Sequence, residues 1–257
     1  MNGWWREENM FTLFQTPQWF AGFDLLFDTI TLLIALLITA YSYKLYKLSD
    51  ENKFFYFSVA FALMSVGFLF KLGTYLTIYS PASQYAAAVT IVKVTNSQGI
   101  GSIFRNLLYR AGYFVQMASM LGSWLLLFFV SQKGRDRLNK MHERSQILLS
   151  IYLITLIAVV STFEYRIFYL TSLVLLALIV LHLYENHRLR RSQNSKKVLL
   201  AFLLLLAAQI SFAFIFIVPE LYIVGELLTL AGFGTIAATY IAIQQKTKQM
   251  ANSEVLR

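Results

Sequence analysis

The chain has no cysteine, and only three prolines and three histidines among its 257 residues. The missing cysteine excludes disulfides, Cys-ligated zinc, iron–sulfur clusters and thiol catalysis, and leaves the redox compartment unmarked. Of His142, His182 and His187, only His182 falls near an apolar run, which excludes a bis-histidine haem between helices. Charged residues are also scarce, at 14% against 58% hydrophobic. A soluble domain of this length needs far more polar surface to cover its core. The mean hydropathy of +0.59 fits a multispanning helical membrane protein instead. Catalytic signatures are missing as well: there is no H-E-x-x-H, no G-x-S-x-G and no aspartate pair at mid-membrane depth. No catalytic residue, cofactor or metal site is therefore expected. A membrane-embedded lipid-modifying enzyme is the one enzymatic alternative.

What is present is clearest in residues 105–144, a long apolar run followed by a basic loop. Residues 107–131 are long enough to cross a bilayer and contain no acid. Gly112, Gln116, Ser119 and Ser123 line one side of that helix. Lipid cannot satisfy such a stripe, so it is expected to face other helices. Close helix packing through small residues accounts for the seam, and Gln209 is placed to hydrogen-bond Gln116 across the bundle.

The hydropathy pattern predicts an all-α bundle of seven spans at about 25–43, 54–76, 107–131, 147–163, 167–184, 198–218 and 221–243. Residues 1–24 mix aromatics with Arg6, Glu7 and Glu8 and read as a segment lying at the interface. Residues 80–104 form the one long loop, expected to lie over the outer mouth. Residues 244–257 read as a short basic tail, so the whole is a single membrane domain. The loops after spans one, three and five, with the tail, hold 16 of the 22 Lys and Arg residues. That bias places the N-terminus outside and the C-terminus inside, in a cytoplasmic (plasma) membrane. It also explains the net charge of +9 without nucleic acid. The basic inner loops are expected to meet anionic lipid headgroups. Tyrosines clustered near both sets of predicted span ends form an aromatic belt.

Four ionisable residues are the candidate ligand site. Asp28, Lys71, Arg110 and Glu226 all fall about one turn below the outer surface by helix rise. Such groups usually face a bundle interior or a wet cavity. The competing reading is that the bases snorkel to headgroups while the acids sit in interfacial water. In the last span, Gly225, Thr229 and Gly232 share a face, a packing surface that serves equally as a contact for a second copy or another protein. A retinal pigment needs a lysine in the last span, and residues 221–243 have none.

The run YSYKLYKLSDENKFFYFSVAFALMSVGFLFK, residues 41–71, resembles the first two spans of prokaryotic seven-helix sensor modules, which often precede kinase or cyclase domains. No signalling domain follows Gln244 here. The resemblance therefore implies a stand-alone sensor-like bundle acting through a separate partner, and it carries over no functional residue. The expectation is a receptor-like protein taking a ligand or lipid headgroup from the outer side. One alternative is a small transporter or channel subunit. It is weakened by prolines that all lie outside the spans and by apolar inner halves. The other is a structural or assembly subunit using the small-residue face of the last span.

Overall fold

The computed structural model describes residues 20, 22–79, 100–132, 151, 153–159, 161, 165–190 and 192–255. Six helices are built from them: α1 (Phe23–Ser49), α2 (Asn52–Tyr79), α3 (Ile100–Gln132), α4 (Tyr165–Arg190), α5 (Gln193–Ala213) and α6 (Leu221–Val255). Each is long and apolar enough to cross a membrane. The chain is an all-α, multi-pass membrane protein. Residues 153–159, within the fourth expected span, are also helical. Of the rest of that span only residues 151 and 161 are described, while most of the N-terminal segment, residues 80–99 of the long loop and the basic stretch 133–144 lie outside the described residues.

Local chemistry sets the helix ends. Asp24 Oδ1 accepts from the backbone N–H of Gly22 (2.9 Å) and of Leu25 (2.8 Å), closing the start of α1. Gly22 precedes that helix at φ 100°, a backbone region suited to glycine. Asp50 ends α1 in the left-handed conformation, its N–H bonded to Tyr46 O at 2.9 Å. Ser192 Oγ caps α5 by accepting from Ser195 N at 3.1 Å.

Two boundaries differ from the sequence reading, each for a physical reason. The sixth expected span ran to 218, but α5 stops at Ala213 and residues 214–220 reverse the chain through tight turns. Phe214, Phe216, Ile217 and Val218 sit exposed on that turn, so hydropathy had no polar residue by which to mark the helix end. The tail was expected as a separate segment, yet α6 runs on to Val255. Its QQKTKQMANSEV stretch has no glycine or proline and is rich in helix formers.

Helix α1 buries a largely small and polar face and turns several leucines outward. On α1 the buried set is Asp24, Asp28, Thr31, Leu32, Ala35, Ile38 and Ser42, while Leu26, Leu33 and Leu37 are exposed. That pattern suits a bundle solvated by lipid, where association comes from close packing and interhelical hydrogen bonds. The helices pack in a closed ring. Each of the six touches the next in chain order, and α6 returns to α1. Ser58 Oγ donates to Thr39 O (3.0 Å), linking α2 to α1, and Ser123 Oγ donates to Ala60 O (2.8 Å), linking α3 to α2.

Helices α3 and α4 run parallel. Tyr113 and Met117 cluster with Phe168 near the start of both, and Phe128 meets His182 edge-on at 6.3 Å near the end of both. The chain therefore returns to its starting end between Gln132 and Tyr165. Ala158 packs into the Tyr113–Phe168 cluster beside that return.

All six helices contribute to one apolar layer. It includes Leu32, Ala35, Phe61, Met64, Trp124, Leu176, Phe202, Leu205, Phe233 and Ile236. Where α6 meets α5, backbones approach so closely that a Cβ on Gly232 falls 2.8 Å from Leu205 and 3.2 Å from Ala201 O. A Cβ on Gly234, by contrast, meets nothing within 4 Å. Gly232→Ala should lower stability by about 1–3 kcal/mol through overpacking. Gly234→Ala should be neutral or stabilising by up to about 1 kcal/mol. Thermal unfolding midpoints in detergent compare the two variants directly.

Candidate functional site

The half of the bundle that holds the start of α1 contains a buried ion bridge across three helices. Lys71 Nζ, on α2, donates to Asp28 Oδ1 of α1 at 2.8 Å and to Glu226 Oε1 of α6 at 2.7 Å. These are salt bridges between groups all but sealed from solvent: Asp28 is 0%, Glu226 2% and Lys71 7% exposed. The bridge lies where the ring closes between its first and last helices. Lys71 has a flexible stem and three donors, so one ammonium reaches carboxylates on two neighbouring helices.

Two tyrosines cover the bridge. The hydroxyls of Tyr75 and Tyr222 hydrogen-bond each other at 2.8 Å, and the Lys71 ammonium lies 5.8 Å and 5.9 Å from their ring centres. That range suits cation–π attraction, which adds to the ion pairs in a desolvated setting. Phe20 packs edge-on against Tyr222 at 6.4 Å and stacks on Phe27 at 5.8 Å, extending the aromatic cover. Asp24, also fully buried, stands one turn beyond Asp28 on the same face of α1.

The sequence reading placed Tyr75 and Tyr222 in an aromatic belt at headgroup depth. Both are buried inside the protein, and their hydroxyls serve each other. Asp24 was not singled out at all. One signal pointed to all three: Asp24, Tyr75 and Tyr222 each lie four residues from Asp28, Lys71 and Glu226, on the same helix face and toward the same end. The fourth expected member, Arg110, lies on the exposed surface of α3, while the bridge joins Asp28, Lys71 and Glu226.

The seam on α3 faces α2. A Cβ on Gly112 falls 2.8 Å from Thr74 Oγ1, and the backbone carbonyl of Gln116 lies 3.4 Å from a Cβ on Gly67. Ser123 is fully buried and Ser119 half-buried. The expected amide bond between Gln116 and Gln209 is absent. Both Oε1 atoms are buried without a hydrogen-bond partner, whereas such a bond satisfies one of them. The third set turns inward. Gly225 and Gly232 lie against Phe212 and Leu205 of α5, and Thr229 Oγ1 donates to Gly225 O at 2.8 Å within its own helix. That face is occupied within the chain, so it is not available as a surface for a second copy.

Eight buried side-chain atoms lack a hydrogen-bond partner among the described residues. Six of them, on Asp24, Asp28, Gln116, Ser161, Ser172 and Gln209, fall in the same half as the bridge. Buried polar atoms call for water or a ligand, because leaving them bare costs about 1–3 kcal/mol each. That half is therefore polar and under-satisfied, and the apolar layer closes it off below. Among the described residues no three His, Asp or Glu side chains converge on a metal position.

Removing one partner of a buried pair strands the others. Lys71→Met alone should cost about 3–5 kcal/mol, because two carboxylates lose their counter-charge. Adding Asp28→Asn and Glu226→Gln to that variant should recover most of the loss. Unfolding curves in the same detergent test this; a triple variant as unstable as Lys71→Met contradicts the bridge.

Comparison of the chain with protein-family models, with curated proteins and with solved structures gives no match, so its function is argued from this geometry.

Proposed function

We propose that the protein is a sensor- or receptor-type membrane bundle that takes a polar ligand in the half containing Lys71 and acts through a separate partner. The observation that carries this reading is the buried Asp28–Lys71–Glu226 bridge among unpartnered polar atoms, set above an apolar layer drawn from all six helices. A ligand with charged or hydrogen-bonding groups competes for Lys71 and its carboxylates. Because Glu226 is the last helix's hold on the bridge, loss of that hold frees α6 from α1. Helix α6 then continues unbroken to Val255, giving the change a route to the far end. The apolar layer weighs against a channel or transporter, which needs a polar path from side to side. We assign no catalytic residue.

The topology that fits this reading has seven spans, the fourth including residues 153–159. The ligand half and the N-terminus are outside, and the basic loops and C-terminus inside, against anionic headgroups of the cytoplasmic membrane. The parallel run of α3 and α4 supports the extra crossing.

Two measurements test these statements. Because the chain lacks cysteine, single cysteines placed at Ser192 and Pro219 give unambiguous labels. An impermeant maleimide on intact cells should label Pro219→Cys and spare Ser192→Cys; the reverse pattern inverts the orientation. Native mass spectrometry of protein released in membrane patches should show a bound small molecule on the wild type. It should be lost, or at least tenfold depleted, in the Lys71→Met/Asp28→Asn/Glu226→Gln variant. Equal occupancy in both, or bulk lipid alone on the wild type, overturns the receptor reading.

A further inference from the structure

A second site lies at the opposite end, where α4 turns into α5. A cleft of about 410 Å³ is lined there by Tyr184, His187 and Arg188 from the last turns of α4, and by Ser192, Gln193 and Lys196 from the start of α5. Its chemistry is one-sided. Arg188 and Lys196 bring two positive charges, and the N-terminus of the 21-residue α5 adds its positive dipole end. His187 Nδ1 is buried and has no hydrogen-bond partner. Among the described residues no carboxylate lines the cleft. The arrangement offers an arginine fork, a lysine point charge, hydroxyl and amide groups and helix N–H groups to one anion, the set that phosphate recognition uses.

We propose that this cleft binds a phosphate group, and that the phosphate is the headgroup of an anionic phospholipid. The flanking surface supports the lipid source. Leu181 lies one turn before Tyr184 on α4, and Leu200 lies one turn after Lys196 on α5; both are more than half exposed. The apolar spans of the two helices end at Leu189 and begin at Gln193, so the cleft sits at their polar boundary. A phosphate seated between Arg188 and Lys196 leaves its acyl chains to run along exposed leucine. The Tyr184 ring, 56% exposed, stands at the junction, where an amphipathic ring suits the glycerol region. The site is independent of the ligand half, and either can fail without the other.

The test uses the full chain in nanodiscs of phosphatidylcholine, with phosphatidylglycerol or inorganic phosphate added and bound copies counted by native mass spectrometry. Wild type should retain one phosphatidylglycerol more tightly than the rest. Arg188→Gln/Lys196→Gln should weaken that copy by about thirtyfold, from the usual contribution of two basic groups near a membrane surface. Lys44→Gln/Lys47→Gln, which removes equal charge from the end of α1, should change it less than twofold. Equal losses in the two variants mean diffuse attraction to basic residues and overturn the site, as does a double variant that binds like wild type. Displacement of the lipid by millimolar inorganic phosphate keeps the phosphate site but overturns its lipid source. Unfolding midpoints of both variants, expected at the wild-type value because the four residues are exposed, separate lost binding from lost structure.

Discussion

An ammonium group buried among membrane helices must be matched within the protein, because lipid offers it nothing. Lys71 meets that demand by holding Asp28 and Glu226 together, and the ring of helices closes through this contact. Desolvating three ionised groups is expensive. Their mutual attraction offsets the expense only with short, well-directed bonds and with neighbours that exclude water. The Tyr75–Tyr222 pair supplies that exclusion. The polar half extends to the other helices, where Gln116, Ser172 and Gln209 have buried polar atoms without a hydrogen-bond partner.

The two halves divide the work of the fold. Below the bridge, leucine, phenylalanine and alanine from every described helix interlock into a mainly apolar layer, and glycines let α5 and α6 approach closely. Such a layer resists deformation because close-packed interiors compress little. Above it, ion pairs and single hydrogen bonds hold the helices. The sensor reading proposed above rests on this division, with a close-packed layer under a polar one and α6 spanning both.

Much of this was legible in the sequence. Span length rests on the bilayer's thickness, which acts locally on the chain, so the apolar segments could be read directly. Asp28, Lys71 and Glu226 were also visible as charges at one depth. Their meeting was not, since depth says nothing of rotation about the helix axis, and Arg110 at a similar depth points outward. Tyr75 and Tyr222 were missed because a tyrosine at a helix end fits the interface as well as the interior. Only their four-residue offset from Lys71 and Glu226 separates the two cases. The end of α5 was hidden because its turn is apolar and faces lipid, so composition does not change where structure does.

The partners of the bridge are far apart in the chain, Asp28 and Lys71 being separated by 43 positions and Lys71 and Glu226 by 155. Synthesis delivers them in that order. Asp28 and Lys71 lie on the first two helices, so their pairing needs nothing beyond the first hairpin. Glu226 arrives last, when the other five described helices already stand in place. The final helix is thus admitted by a lysine already held on one side and still able to donate on the other. The closing contact of the ring thus depends on the last helix as well as the first two.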